Sequence, residues 1–452
     1  MVYEKCTDVC KTGGYFPLKC EPSLLVKKDK RGICIIGINT DDGIVISRSR
    51  PMLDEFRDYY GSNFKVRWGD TDRYGGVNVT RDREHHTITL DQHDFIATAW
   101  ARWQPRVHPD RPGGARGGAL PGTPSGPLLD DWLTPEALAA NEPSPKLISE
   151  YQSCLGEVGW LANRTCPALL ATYSKLGRAA HRPSELLLQE CISCIAHAAG
   201  DADAHALVFS PALDPHPVFY CDADFARHRS QSGWCGYMAN SCVVAASKAQ
   251  KCICLSTCES ELVALSACTC DAMWLRQLLA ELGFPPPGPT PIFCDNTAAK
   301  QVAENPVAAK QLKHVARRHF FVQDAVAALE VTVCSVSSQA NLADLYTKIF
   351  DKPRYSWLAA RARRWAASAQ RVNWSSSFAK ATRRPEPDQR PTCAGCGTKD
   401  GGMLDEMLAC PGCGKHLCAD CFPPVCHAPC RGHRAPTHTL PNDTSNAAPS
   451  AA

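Results

Sequence analysis

The chain moves between period-two and period-3.6 patterning. GICIIGI (32–38) is an unbroken apolar run, followed by Asn39-Thr40-Asp41-Asp42-Gly43 and then IVIS. Two apolar runs about a tight polar turn predict a β-hairpin with two carboxylates at its tip. PMLDEFRDYY predicts a helix after it, and VNVTRDREHHTITL a second hairpin. Residues 147–199 read as two helices. From 216 to 348 the order is clearer. HPVFYCDADFA alternates as a strand; SGWCGYMA and CVVAA make two more. STCESELVALSACTCDAMWLRQLLAELG has helical spacing, with apolar positions at Leu262, Leu265, Met273, Leu275, Leu278 and Leu279. PIFCDN predicts a short buried strand, TAAKQVAEN and VAAKQLKHVARRHFFVQDAVAAL helices, EVTVCSV a strand, and NLADLYTKI the start of a last helix. The order βββαβααβα predicts an α/β (α+β) unit, a mixed sheet with helices packed on it.

The pattern breaks in three places. Half of the 24 residues 104–127 are proline or glycine, so this stretch predicts a linker or insertion without regular structure. PPPGPTP (285–291) is shorter and reads as a loop. Beyond residue 434 the chain is rich in Pro, Thr, Asn and Ala, and disorder is expected.

Composition narrows the function classes. With 452 residues, two or three domains are expected, and a hydrophobic fraction of 44% excludes wholesale disorder. A net charge of +3 means that nucleic-acid binding has to come from local patches. The longest apolar run, Ile33 to Ile38, is too short to cross a bilayer, and MVYEKCTDVC lacks the layout of a secretory signal. An intracellular protein, cytoplasmic or nuclear and without a membrane partner, is the expectation. Its 26 cysteines should then be thiols or metal ligands.

Four acids fall at telling places in the predicted order. Asp222 lies in the first strand of the 216–348 unit and Glu261 in the first turns of the long helix. Asp295 closes the fourth strand, and Asp344 stands near the start of the last helix. Strand ends and helix starts converge at one edge of such a sheet. Clustered carboxylates raise each other's pKa unless cations offset them, and hard oxygen donors suit Mg²⁺ or Mn²⁺. Two such ions about 4 Å apart can activate a water and stabilise the leaving oxygen of a phosphodiester. Singly, each acid has a bland reading. Asp295-Asn296 is a good helix N-cap, Asp344 a first-turn acid, and Asp224 competes with Asp222 on the same strand face.

CDADFA, SQSGWCGY, QKCICLSTCESELVALS, MWLRQLLAELG, CDNTAA, NPVAAKQLKHV and NLADLYTK together resemble the ribonuclease H domain of copia-type retrotransposon polyproteins. The resemblance covers roughly 216–350 in one continuous order. It implies endonucleolytic hydrolysis of RNA in an RNA–DNA hybrid with two Mg²⁺ ions held by Asp222, Glu261, Asp295 and Asp344. The hairpin after CDADFA is shorter than the family's, with Arg227-His228 where Gly-Asp is usual. Cysteine replaces family-typical residues at 221, 252, 254, 258, 268 and 270, where it should pack as a small hydrophobe.

The first hundred residues resemble the later part of the reverse transcriptase of the same polyproteins, through CEPSL, VKKD, NTDDG-IVIS, FRDYYGSNFKV and GGVNVTRDREHHTITLDQHDFI. Asp41 and Asp42 fall on that family's metal-holding Asp-Asp turn, with Asn39-Thr40 where the family has an aromatic or aliphatic pair. The third aspartate and the nucleotide-gripping fingers lie upstream of this block in the family, so no DNA synthesis is expected. YQSCLGEVGWLANRTCPALL resembles the connecting region.

At the C-terminal end Cys393, Cys396, Cys410, Cys413, Cys418, Cys421, Cys426 and Cys430 form four consecutive pairs, with His416, His427 and His433 interspersed. A two-residue gap lets both thiolates face one metal, and eight such ligands fit two tetrahedral Zn²⁺ ions. CPGCGKHLCADC resembles the core of cross-brace zinc fingers. Folding of so short a module should depend on the metal, and a protein or nucleic acid is its expected partner. Between the two, residues 361–390 carry eight basic side chains with Trp365, Trp374 and Phe378 interleaved. They suit either a phosphate-tracking segment or a solvated linker.

The expected organisation is a truncated reverse transcriptase palm (1–103), a linker (104–146), a helical connection (147–212), a ribonuclease H-like domain (213–352), a basic linker (353–390), a zinc module (391–433) and a tail (434–452). The rival reading is a non-catalytic zinc-dependent binding module on a decayed nuclease scaffold.

Overall fold

The apolar run around Asn39–Gly43 does become a hairpin. Its setting is a four-stranded antiparallel sheet whose strands pair in chain order. Helix α1 (Val2–Thr12) leads into β1 (Phe16–Pro17), β2 (Leu24–Asp29), β3 (Gly32–Asn39) and β4 (Asp42–Ser47). Alternation puts Cys34 and Ile36 on one face of β3, where α2 (Arg50–Asn63) covers them with Met52 and Phe56. The computed structural model describes residues 2–39, 42–107, 126–211, 216–226, 229–304, 316–350, 352–363, 408–409 and 416–417. The second hairpin is β6 (Val77–Asp82) and β7 (Thr87–Asp91), after the short β5 (Arg73–Tyr74) and before α3 (His93–Trp103).

The expected linker holds regular structure at its end. Helices α4 (Gly126–Trp132) and α5 (Pro135–Ala140) lie within 104–146, and Leu129 is fully buried. The Pro/Gly count of 104–127 hid them, because the helix-forming residues begin at its margin. The two helices expected over 147–199 are three: α6 (Pro145–Ala162), α7 (Leu170–Leu176) and α8 (Glu185–Gly200). Pro167 opens a 3-10 turn that breaks the run, and Ser144 and Ser184 cap α6 and α8 by accepting from Leu147 and Leu187. Strand β8 (Leu207–Phe209) then pairs with β7, tying the connection back to the N-terminal hairpin. Residues 1–370 form one unit and 371–452 another.

The 216–348 region forms a five-stranded sheet. Its strands are β9 (Val218–Asp224), β10 (Gln231–Met238), β11 (Ser241–Ala249), β12 (Thr290–Cys294) and β13 (Val331–Ser335), in the order β11-β10-β9-β12-β13. The first three are antiparallel; β9, β12 and β13 are parallel. Helix α9 (Thr257–Leu282) crosses between β11 and β12, and α10 (Thr297–Glu304) and α11 (Ala316–Ala327) between β12 and β13. Phe219, Cys221, Trp234, Ile292, Cys294, Val331 and Val333 from the sheet meet Leu262, Leu265, Cys268 and Leu275 of α9 in one core. With 26 residues, α9 is long and apolar enough to cross a membrane, but half of that stretch is buried within the protein. A core helix of a mixed sheet meets the same criterion.

The last element differs from expectation. Residues Leu342–Tyr346 form a 3-10 turn, and a helix, α12 (Lys352–Arg363), starts only later. Asn341 causes this. Its Oδ1 accepts from the Ala343 amide at 3.1 Å, and its Nδ2 donates to the Cys221 carbonyl at 3.0 Å, so the turn starts locked to the sheet. In the second unit β14 (Leu408–Ala409) pairs antiparallel with β15 (His416–Leu417), flanking residues 410–415. The eight expected zinc ligands, Asp41, and Trp365, Trp374 and Phe378 lie outside the described residues.

Candidate metal centre

Asp222 and its neighbour Cys221 point to opposite faces of β9. Cys221 enters the core under α9, whereas Asp222 faces the Leu342–Tyr346 turn and is 1% exposed. Its register partner on β10 is Gly233. A Cβ there would stand 2.6 Å from Thr347 Cγ2 and 2.7 Å from the Tyr346 carbonyl carbon. Glycine therefore lets the turn settle onto the sheet, and Thr347 Oγ1 donates a very short hydrogen bond to Asp222 Oδ2.

The helix start chooses between Glu259 and Glu261. Ser256 caps α9 by accepting from the Glu259 amide at 3.2 Å, and Glu259 Oε2 accepts from the Leu255 amide at 2.5 Å. This is a close variant of a capping box. Glu259 is thus occupied by the cap, and Glu261 points at the sheet edge, buried, with Oε2 lacking a hydrogen-bond partner. A similar division separates Asp295 from Asn296. Asn296 Oδ1 caps α10 by accepting from Ala299 at 2.9 Å, so the capping role falls to the asparagine. Asp295 carries the negative charge at the end of β12.

The four acids converge. Carboxylate oxygens of Asp222, Asp295 and Asp344 lie within 4.8 Å of one another, and so do the ligand atoms of Glu261, Cys294 and Asp295. Asp295 belongs to both sets. Asp224, the competitor on β9, is held elsewhere: Lys175 Nζ stands 3.7 Å from it and 2.8 Å from Asp130. Asp42, the described half of the Asp41-Asp42 turn, is exposed at the start of β4.

Burial is the largest influence on these carboxylates and raises all four pKa values. Lys348 opposes it for Asp222 and Asp344. Its Nζ lies 3.2 Å from Asp222 Oδ2 and 2.6 Å from Asp344 Oδ1. Arg354 adds a contact of 3.3 Å to Asp344. Burial disfavours the Lys348 charge, yet the two aspartates outweigh it and hold its pKa above the usual lysine value. Lys348 opposes the shift of Glu261 only as the smallest influence. Burial, then Asp222, Cys294 and Asp295, push it up to about 10. A hard divalent cation fits this donor set. The oxygens are grouped, one is orphaned, and the excess negative charge is what such an ion neutralises.

Lys348, Thr347, Gly233 and Cys294 were not singled out from the sequence. The one local signal was the i, i+4 spacing of Asp344 and Lys348.

A 3-2-1-4-5 strand order, with Asp222 within the first strand and Asp295 just past the fourth, is the ribonuclease H-like α/β arrangement expected from the sequence. No family model matches the chain. The retrovirus-related Pol polyproteins from transposons RE1 and RE2 of Arabidopsis thaliana are each 28% identical to it, over 233 and 345 residues. The matches cover 48% and 75% of this chain but 16% and 22% of those proteins. The chain therefore spans about a fifth of the length of such relatives. Secreted RxLR effector protein 161 of Plasmopara viticola is 32% identical over 129 residues, 28% of this chain and 90% of that protein. Among solved structures, an N-terminal RNase H domain from Mycobacterium tuberculosis, fused to maltose-binding protein, is similar at 13% identity with a TM-score of 0.24, covering 34% of this chain and 99% of that one. The chain's homologues thus include retrovirus-related Pol polyproteins of plant transposons.

Proposed function

We propose that this chain is a divalent-metal-dependent ribonuclease that cuts the RNA strand of RNA–DNA hybrids, and that Asp222, Glu261, Asp295 and Asp344 hold the metal ions. The observation that carries this reading is the grouping of the three aspartates within 4.8 Å, with Glu261 joined to them through Asp295. When bound, two Mg²⁺ ions at such a cluster would generate the attacking hydroxide from water near neutral pH and neutralise charge on the leaving oxygen.

The chain's own residues supply the rest. Thr347 and Lys348 fix both oxygens of Asp222, so that one rotamer is presented to the site. Asn341 and Gly233 hold the turn carrying Asp344 against β9. Asn296 caps α10 and leaves Asp295 to the cluster. The Asp41-Asp42 pair is read as the counterpart of the metal-holding Asp-Asp pair of a reverse transcriptase palm. The eight cysteines between 393 and 430 are read as ligands of two Zn²⁺ ions, with a protein or nucleic acid as the module's partner.

The test is cleavage of a labelled hybrid by the full chain with Mg²⁺. Asp295→Asn, which keeps the shape and removes the charge, is expected to abolish cleavage. Undiminished cleavage by that variant would overturn the assignment.

A further inference from the structure

Cys294 closes β12, one residue before Asp295, and shares the core-facing side of the strand with Ile292. Its sulfur and oxygens of Glu261 and Asp295 lie within 4.8 Å of one another. The thiol is 1% exposed and Glu261 7% exposed. The two halves of the acid cluster are therefore chemically unlike. Around Asp222 and Asp344 every donor is a hard oxygen, and Lys348 and Arg354 supply positive charge. Around Glu261 there is a soft sulfur donor, and Glu261 Oε2 has no hydrogen-bond partner.

We propose that Glu261, Cys294 and Asp295 form a binding site for a soft or borderline divalent ion of the Zn²⁺ and Cd²⁺ class, one that shares two carboxylates with the hard Mg²⁺ centre and adds a sulfur. Three protein donors with one sulfur match the coordination such ions accept, leaving a position for water. Donors on a tetrahedral zinc stand roughly 3.5 Å apart, so a closure of about 1 Å seats the ion. On binding, the Cys294 thiol and the Glu261 carboxyl each release a proton to solvent, and the sulfur and the freed carboxylate oxygen take up the metal bonds. The orphaned Glu261 oxygen gains a partner in the ion. Because Glu261 and Asp295 also serve the hydrolytic centre, a soft ion seated here takes two of its four carboxylates. The site makes Zn²⁺ an inhibitor that Mg²⁺ has to displace; this consequence, though not the binding itself, rests on the nuclease reading.

Cadmium-113 NMR of the full chain tests the site without reference to activity. All-thiolate cadmium sites resonate far downfield, so a one-sulfur site stands apart from any in the C-terminal cysteine cluster. One resonance upfield of the tetrathiolate region is expected in the wild type. It should be absent from Cys294→Ser and also from Glu261→Gln, which keeps the thiol. Absence of that resonance from the wild type, or its persistence in both variants, overturns the proposal. Hybrid cleavage by the same wild-type sample with Mg²⁺, titrated with Zn²⁺, separates the two readings. Resonance without cleavage under any ion sinks the nuclease and leaves the site, whereas cleavage without the resonance does the reverse. Where both are present, Cys294→Ser should need about tenfold more Zn²⁺ for the same fractional inhibition.

Discussion

The Lys348 ammonium lies 2.6 Å from Asp344 Oδ1, one helical turn away in sequence, and it reaches Asp222 at 3.2 Å with the same nitrogen. A side-chain cation thus stands among carboxylates that a divalent ion would share. Lys348→Met removes it. Asp222 and Asp344 are then left buried without that partner, which for an uncompensated buried charge costs several kcal/mol. Lys348 itself is 34% exposed, so solvent screening reduces this to about 2 kcal/mol. Denaturant unfolding without metal should show that loss. Repeated in Mg²⁺ it should show a larger metal stabilisation than in the wild type, since the ion no longer competes with an internal ammonium. An equal Mg²⁺ response in both proteins would mean that Lys348 and the ion occupy different places.

Glu261 gives a pH dependence with a definite sign. Its ordinary pKa is 4.5 and its folded value is raised to about 10, through burial and then Asp222, Cys294 and Asp295, with Lys348 opposing. A raised carboxylate costs nothing below its unfolded pKa. The cost grows as pH rises from about 4.5 toward about 10, because the unfolded chain ionises and the folded one resists. At pH 7 it is on the order of 3 kcal/mol. Glu261→Gln should therefore be more stable than the metal-free wild type at pH 7, with the gap closing near pH 4.5. The same variant should gain less from Mg²⁺. Parallel pH profiles for the two proteins would refute the assigned environment.

How much of this was legible depended on how local each signal was. The four acids could be read because each marks the end or start of a patterned element, and the sheet then gathers those ends. The choice of Glu261 over Glu259 is also local, since Ser256 and Glu259 stand at capping spacing. Lys348 was hidden because an i, i+4 Asp–Lys pair usually lies on a solvated face. Cys294 was hidden because a strand thiol usually behaves as a small hydrophobe. Helices α4 and α5 were lost behind the neighbouring Pro/Gly-rich stretch. The pairing of β8 with β7 spans more than a hundred residues, and no short-range pattern announces it. The 3-10 turn at Leu342–Tyr346 depends on Asn341 bonding to Cys221 across the sheet, a contact that the local pattern does not contain.

Gly233 is where backbone proximity sets the site. A methyl group would enter contacts of 2.6 Å and 2.7 Å, one of them to backbone that cannot rotate away. Gly233→Ala should lose about 1–3 kcal/mol through overpacking and push the Asp344 turn off β9. Hybrid cleavage should fall further than the fraction of folded protein does, because Asp344, Thr347 and Lys348 move together. A variant with unchanged stability and cleavage would show that the turn accommodates the methyl and that its seating is not tight.

His205 offers a test remote from the acids. It is 8% exposed, its Nε2 is without a hydrogen-bond partner, and it lines a cavity of about 250 Å³ with His197, Asn240 and Tyr355. Burial, and then the Arg363 charge, lower its pKa from 6.5 to about 4. The sign is opposite to that of a histidine gaining an acidic partner. Above pH 6.5 the ring is neutral in both states and contributes nothing. As pH falls from 6.5 to about 4 the unfolded chain binds a proton that the folded one refuses, so stability declines through that window, by at most about 3 kcal/mol. Below the folded pKa the loss levels off. His205→Gln, which cannot titrate, should flatten that part of the stability profile measured by urea unfolding between pH 4.5 and pH 7. The same slope in wild type and variant would place the acid sensitivity elsewhere in the protein.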